Sequence, residues 1–96
     1  MDDQILPGER IESEVEKLNV AWSHIPGEGL VRVFETQGFA EGLRLVGRIG
    51  NVAERLAHYP EVTLRRDEVV VTTLDSEAGG VTQADLDLAR VIDKEL

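Results

Sequence analysis

The sequence predicts an α+β fold: a four-stranded antiparallel sheet with three helices on one face, in the order αββαββα. Three observations carry this prediction. A long run from Phe39 to Ala57 repeats its apolar residues at helical spacing, two pairs of β-branched runs flank it, and Thr82 with Asp85 announces a closing helix.

Pro7-Gly8-Glu9 starts the first helix, whose apolar positions Ile11, Val15 and Leu18 recur four and three residues apart, and Met1 to Leu6 is expected to be frayed. Val20 to Ile25 and Leu30 to Glu35 surround the turn Pro26-Gly27-Glu28-Gly29, giving a first hairpin. The long helix follows. Phe39, Leu43, Val46, Gly50, Ala53 and Ala57 lie along one side, with Leu45, Ile49, Val52 and Leu56 beside them. Glu41, Arg44, Arg48, Asn51 and Arg55 form the wet face. Pro60 lacks an amide hydrogen and drives Tyr59 out of the helical region, so this helix is expected to end near His58. Val62 to Arg65 and Val69 to Leu74 flank Arg66-Asp67-Glu68 as a second hairpin. Thr82 and Asp85 take the capping-box positions, Val81 and Leu86 those of the hydrophobic staple, and Leu88, Ala89, Val91, Ile92 and Leu96 the buried stripe of the last helix. The two outer strands are left free to pair with another subunit.

No linker or repeat divides the chain, and residues 1–96 read as one domain. Apolar residues make up 42% and charged residues 30%, an ordinary globular balance. Ten basic residues against 19 acidic ones leave a net charge of -9, which repels nucleic acid and anionic membranes. Without cysteine there is no disulfide framework, thiolate metal site or thiol nucleophile. His24 and His58 have no metal-ligand spacing around them, so no metal is expected. No apolar run reaches the length of a membrane span or signal peptide, and a cytoplasmic location is the expectation.

The acid/base candidate is His58, on the expected last turn of the long helix. Glu54 lies four residues earlier on the same face, within reach of a hydrogen bond to the imidazole. A helix-end histidine satisfied by its neighbour and a catalytic one share this signature. Asp85 is likewise accounted for by the helix dipole, whatever else it does.

Glu54, then His58-Tyr59-Pro60-Glu61, a hairpin, and Ala78-Gly79-Gly80-Val81-Thr82-Gln83-Ala84-Asp85-Leu86-Asp87-Leu88-Ala89 resemble the pterin-4a-carbinolamine dehydratases, or 4a-hydroxytetrahydrobiopterin dehydratases. The resemblance covers nearly the whole chain, including Trp22, Leu30 to Phe34 and Phe39. It implies the αββαββα fold, assembly as a homodimer or homotetramer, and dehydration of a pterin carbinolamine by histidines with acidic support, with no metal or diffusible cofactor. Carried over by position, His58 matches the first histidine, Glu54 the preceding acidic residue, Pro60 the following proline and Asp85 the acid early in the last helix. Tyr59 replaces a second histidine, Ser76 a third histidine or a tryptophan, and Arg66 an aromatic residue.

The resemblance thus implies His58 as main acid/base, with Glu54 orienting it and Tyr59 assisting. Ser76, Pro60 and Asp85 are then the substrate-binding residues. Relatives with eroded histidine clusters resemble protein assembly factors, for example for RuBisCO, or dimerisation partners, so a protein client is the alternative. For that reading, Arg44, Arg48, Arg55, Arg65 and Arg66 form a basic surface toward an acidic partner.

Overall fold

The computed structural model describes residues 4–96. Its elements follow the predicted order: α1 (Gly8–Val15), β1 (Trp22–Ile25), β2 (Gly29–Glu35), α2 (Phe39–Leu56), β3 (Glu61–Leu64), β4 (Glu68–Thr73) and α3 (Gln83–Glu95). Every strand pairing is antiparallel and the sheet runs β1-β2-β4-β3. The two hairpins therefore join through β2 and β4, with Arg32 opposite Val71.

Alternation along β4 shows which face the helices cover. Val69, Val71 and Thr73 are fully buried, while Val70 and Thr72 between them stay half-exposed. Leu30 of β2, Ile49 and Val52 of α2, and Leu86, Leu88 and Ile92 of α3 complete the core. At about 25 cal/mol per Å² of apolar surface, burial of these side chains is the main favourable contribution to folding.

Trp22 is 4% exposed, and its Nε1 donates to Asp93 Oδ1 at 2.7 Å. Arg32 reaches the same oxygen at 2.6 Å, so one carboxylate fastens β1 and β2 to the end of α3.

Local competition moved several expected boundaries. β1 starts at Trp22 rather than Val20, because the Asn19 side chain accepts the Ala21 amide at 2.8 Å and the Trp22 amide bonds the Asn19 carbonyl at 3.0 Å. This turn leaves Val20 97% exposed. Of the start expected to be frayed, residues 1–3 lie outside the described residues; Leu6 is held, its amide donating to the Val81 carbonyl at 2.9 Å.

α2 ends at Leu56, short of His58. Ala57 takes the left-handed conformation (φ 52, ψ 39), and the His58 amide turns back to the Ala53 carbonyl at 3.2 Å. The buried arc of α2 is also narrower than the apolar pattern. Gly42, Ile49, Val52 and Ala53 are buried, but Phe39 and Leu43 are 53% and 56% exposed. Gly42 supplies the reason: a Cβ there would lie 2.7 Å from Leu64 Cδ1 and 3.4 Å from Val69 Cγ2. The missing side chain lets this face approach the sheet, which turns the Phe39–Leu43 side outward. Among the described residues no helix is long and apolar enough to cross a membrane.

Candidate active site

The chain leaving α2 carries His58, Tyr59 and Pro60 toward β3. His58 has a side chain 18% exposed, and its Nε2 lies 2.6 Å from Asp85 Oδ1. Glu54 is exposed on α2, and the carboxylate that meets the imidazole belongs to Asp85, not to Glu54. The early end of α2 explains the exchange. A left-handed Ala57 takes His58 off the helical face on which a four-residue spacing from Glu54 would apply.

Asp85 is 0% exposed and serves four donors. Its Oδ2 accepts the Thr82 amide at 2.8 Å and the Thr82 hydroxyl at 3.3 Å. Its Oδ1 accepts the Thr73 hydroxyl at 2.5 Å and faces His58. A carboxylate only accepts, which assigns His58 Nε2 as the donor, and Nδ1 has no hydrogen-bond partner among the described residues. Asp85 has no exposed surface to offer a ligand, and what its Oδ1 meets is His58 and Thr73. The capping box anticipated for Asp85 is present, and it occupies only one of the two oxygens.

Tyr59 and Ser76 come together in a second place. With Gly27, Glu28, Glu61, Thr72 and Leu74 they line a cleft of about 390 Å³. Tyr59 is 62% exposed there. Ser76 is carried on a loop held by Asp75, whose Oδ1 accepts the amides of Glu77 (3.1 Å) and Ala78 (3.0 Å). Pro60 is half-buried and lines neither place. His58 itself borders a smaller hollow with Leu56, Ala84 and Asp87.

Sequence reasoning missed Thr73, Thr72, Glu28 and Glu61. Thr73 had a legible signal. In the alternation Val69, Val71, Thr73 the last inward position carries a hydroxyl, and a buried hydroxyl requires a partner. The arginine surface is partly engaged within the molecule. Arg48 donates to the Glu95 carbonyl at 2.7 Å, Arg55 pairs with the Glu95 carboxylate at 2.5 Å, and Arg65 with Glu68 at 2.8 Å.

A buried carboxylate paired with an imidazole on an αββαββα sheet is an arrangement that general acid/base sites use. Comparison with known proteins narrows the class. The family described as pterin 4 alpha carbinolamine dehydratase matches residues 4–95. A Halobacterium salinarum protein named "Putative pterin-4-alpha-carbinolamine dehydratase" is 39% identical over 72 residues, which is 75% of this chain and 78% of that protein. A Nocardia farcinica protein of the same name is 33% identical over 94 residues, 98% of this chain and 97% of its own length. A crystal structure from Brucella melitensis, described as a transcriptional coactivator/pterin dehydratase, superposes with a TM-score of 0.84 at 24% identity, covering 95% of this chain and 97% of that one. The chain belongs to the pterin-4a-carbinolamine dehydratase family.

Proposed function

We propose that this protein is a cytoplasmic dehydratase that converts a 4a-hydroxytetrahydropterin to the quinonoid dihydropterin and water. The observation that carries the proposal is the His58–Asp85 pair, with Nε2 and Oδ1 2.6 Å apart and the carboxylate fully buried. In this reading the pterin occupies the Tyr59–Ser76 cleft with its C4a–N5 edge at the His58-Tyr59-Pro60 turn. His58 Nδ1 accepts the N5 proton, the nitrogen lone pair forms the C4a=N5 bond, and the C4a–O bond breaks. Tyr59 gives its hydroxyl proton to the departing hydroxide, completing water, and regains a proton from His58 through solvent. Ser76 holds a polar edge of the ring, while Glu54 is left with no part in orienting the imidazole. No metal or diffusible cofactor enters these steps.

Decay of 4a-hydroxytetrahydropterin, generated in place and followed by stopped-flow absorbance, tests this. His58→Ala should lower the accelerated rate by about 100- to 10,000-fold. Equal rates in both proteins would remove His58 from the chemistry, and no acceleration by either would remove the dehydratase reading.

A second proposal concerns assembly. Phe39 and Leu43 stand exposed on α2 in line with Gly47 and Gly50, where an added Cβ would meet nothing within 4 Å. An apolar strip beside small residues suits close helix packing, and we assign it to a homodimer or homotetramer contact. The same strip would be the docking face if a protein client replaces the pterin as partner.

A further inference from the structure

We propose that Thr73 is a positioning residue for His58, acting through Asp85; the proposal rests on His58 being the acid/base group of the dehydratase reading. Thr73 is the last residue of β4 and is 0% exposed. It stands at an inward position in a run whose other inward members, Val69 and Val71, are purely apolar. Valine has the same shape as threonine, so packing alone gives no reason for a hydroxyl here. A buried hydroxyl without a partner is costly, and this one finds Asp85 Oδ1 at 2.5 Å.

The consequence lies in how the carboxylate is held. Thr82 fixes Oδ2 through an amide at 2.8 Å and a hydroxyl at 3.3 Å, both from the start of α3. Those bonds belong to α3 alone and do not fix the carboxylate relative to the sheet. Thr73 supplies that second anchor, from a strand paired on both sides with β2 and β3. Two donors on Oδ2 and one on Oδ1 leave a single acceptor direction open, and it points to His58 Nε2. An imidazole meets this carboxylate oxygen through a proton on Nε2, and in the neutral ring held in that direction Nδ1 is the acceptor.

β4 also connects the two parts of the site. Thr72, the preceding residue, lines the Tyr59–Ser76 cleft, while Thr73 faces Asp85. Successive residues of a strand point to opposite faces. One rigid dipeptide thus sets the cleft wall and the imidazole's anchor in a fixed relation, so Thr73 acts on the alignment of His58 and not on substrate affinity.

The test compares Thr73→Val, which keeps shape and removes the hydroxyl, with Thr73→Ser, which keeps the hydroxyl. Thr73→Val should lower kcat by about 10- to 100-fold with KM within about twofold, and Thr73→Ser should restore kcat to within a few-fold of wild type. A merely structural role would leave the ring tautomer untouched, so ¹⁵N chemical shifts of the His58 imidazole are read in parallel. Wild type and Thr73→Ser should show the Nε2-protonated ring alone, and Thr73→Val a mixture of both tautomers. The proposal is overturned if Thr73→Val keeps the wild-type tautomer and kcat, or if Thr73→Ser loses as much as Thr73→Val. Should Thr73→Val fail to fold, the wild-type protein decides: a Thr73 hydroxyl proton protected from solvent exchange supports the anchor, and a freely exchanging one overturns it. If wild type does not accelerate carbinolamine decay, the dehydratase reading falls, and the imidazole spectra still decide whether Thr73 sets the His58–Asp85 pair.

Discussion

Replacing Asp85 with Asn changes hydrogen-bonding capacity at almost constant shape, at the one point where the core and the proposed chemistry meet. The Thr82 amide, 2.8 Å from Oδ2, can only donate, so the asparagine oxygen must take that position. The NH₂ group then faces Thr73 and His58, where Oδ1 now accepts from both. A threonine hydroxyl can turn and accept. His58 can accept at Nε2 only by moving its proton to Nδ1, the atom required as base. All four hydrogen bonds lose their charged acceptor and the two at Oδ1 must reverse, offset in part by removal of a buried charge, so the folded state should lose ~2 kcal/mol. For a domain of this size that is a fall of about 8–16 °C in Tm. The rate effect should be larger in proportion, about 100- to 10,000-fold in kcat, because the ring is held in the wrong tautomer. Thermal unfolding, stopped-flow turnover and imidazole ¹⁵N shifts read the three consequences separately. Wild-type turnover in Asp85→Asn, with Nδ1 shown to carry the proton, would refute the assignment of Nδ1 as base.

Ala57→Gly should stabilise the protein by about 0.5–1 kcal/mol, since Ala57 has φ 52 and glycine adopts that conformation without steric cost; an unchanged or lowered denaturant midpoint would contradict it. Asp93→Ala strips the acceptor from Trp22 Nε1, the Asn19 amide and Arg32 together. A cost of about 2–4 kcal/mol and a changed Trp22 emission spectrum are expected, and a loss under ~1 kcal/mol in urea unfolding would show the network to be dispensable. Leu43→Glu, at a site 56% exposed, should leave monomer stability within about 0.5 kcal/mol yet dissociate any oligomer in sedimentation velocity. An assembly that persists in that variant would place the contact elsewhere. Gly29→Ala should be strongly destabilising, because at φ 115 its Cβ would collide with the Thr73 carbonyl oxygen; circular dichroism and thermal melting check this.

Much of the fold was legible because its signals are local. The helical repeat beginning at Phe39, the turn at Pro26 to Glu28, and the Thr82–Asp85 capping pair depend on residues a few positions apart, and each appears within a residue or so of where the pattern put it. The family resemblance is likewise carried by short runs, such as His58-Tyr59-Pro60-Glu61 and Gly79-Gly80-Val81-Thr82, in a set order along the chain. Errors arose where one local preference overrode another. The Asn19 turn shortened β1, and a left-handed Ala57 ended α2 before His58.

What the sequence determined by itself, then, was the order and type of the elements and the residues from which a site is built. Which of those residues meet was decided only by the tertiary structure. Glu54 is four residues from His58 and Asp85 is 27, yet the imidazole pairs with Asp85, because β4 and α3 bring that carboxylate beneath it. Phe39 and Leu43 belong to the same apolar pattern as Ile49 and Val52, but the close approach at Gly42 buries one pair and exposes the other. Helical and strand periodicity follow from bond geometry within a few residues. The pairing of distant side chains follows from strand register and helix rotation, which are set by the packing of the whole core.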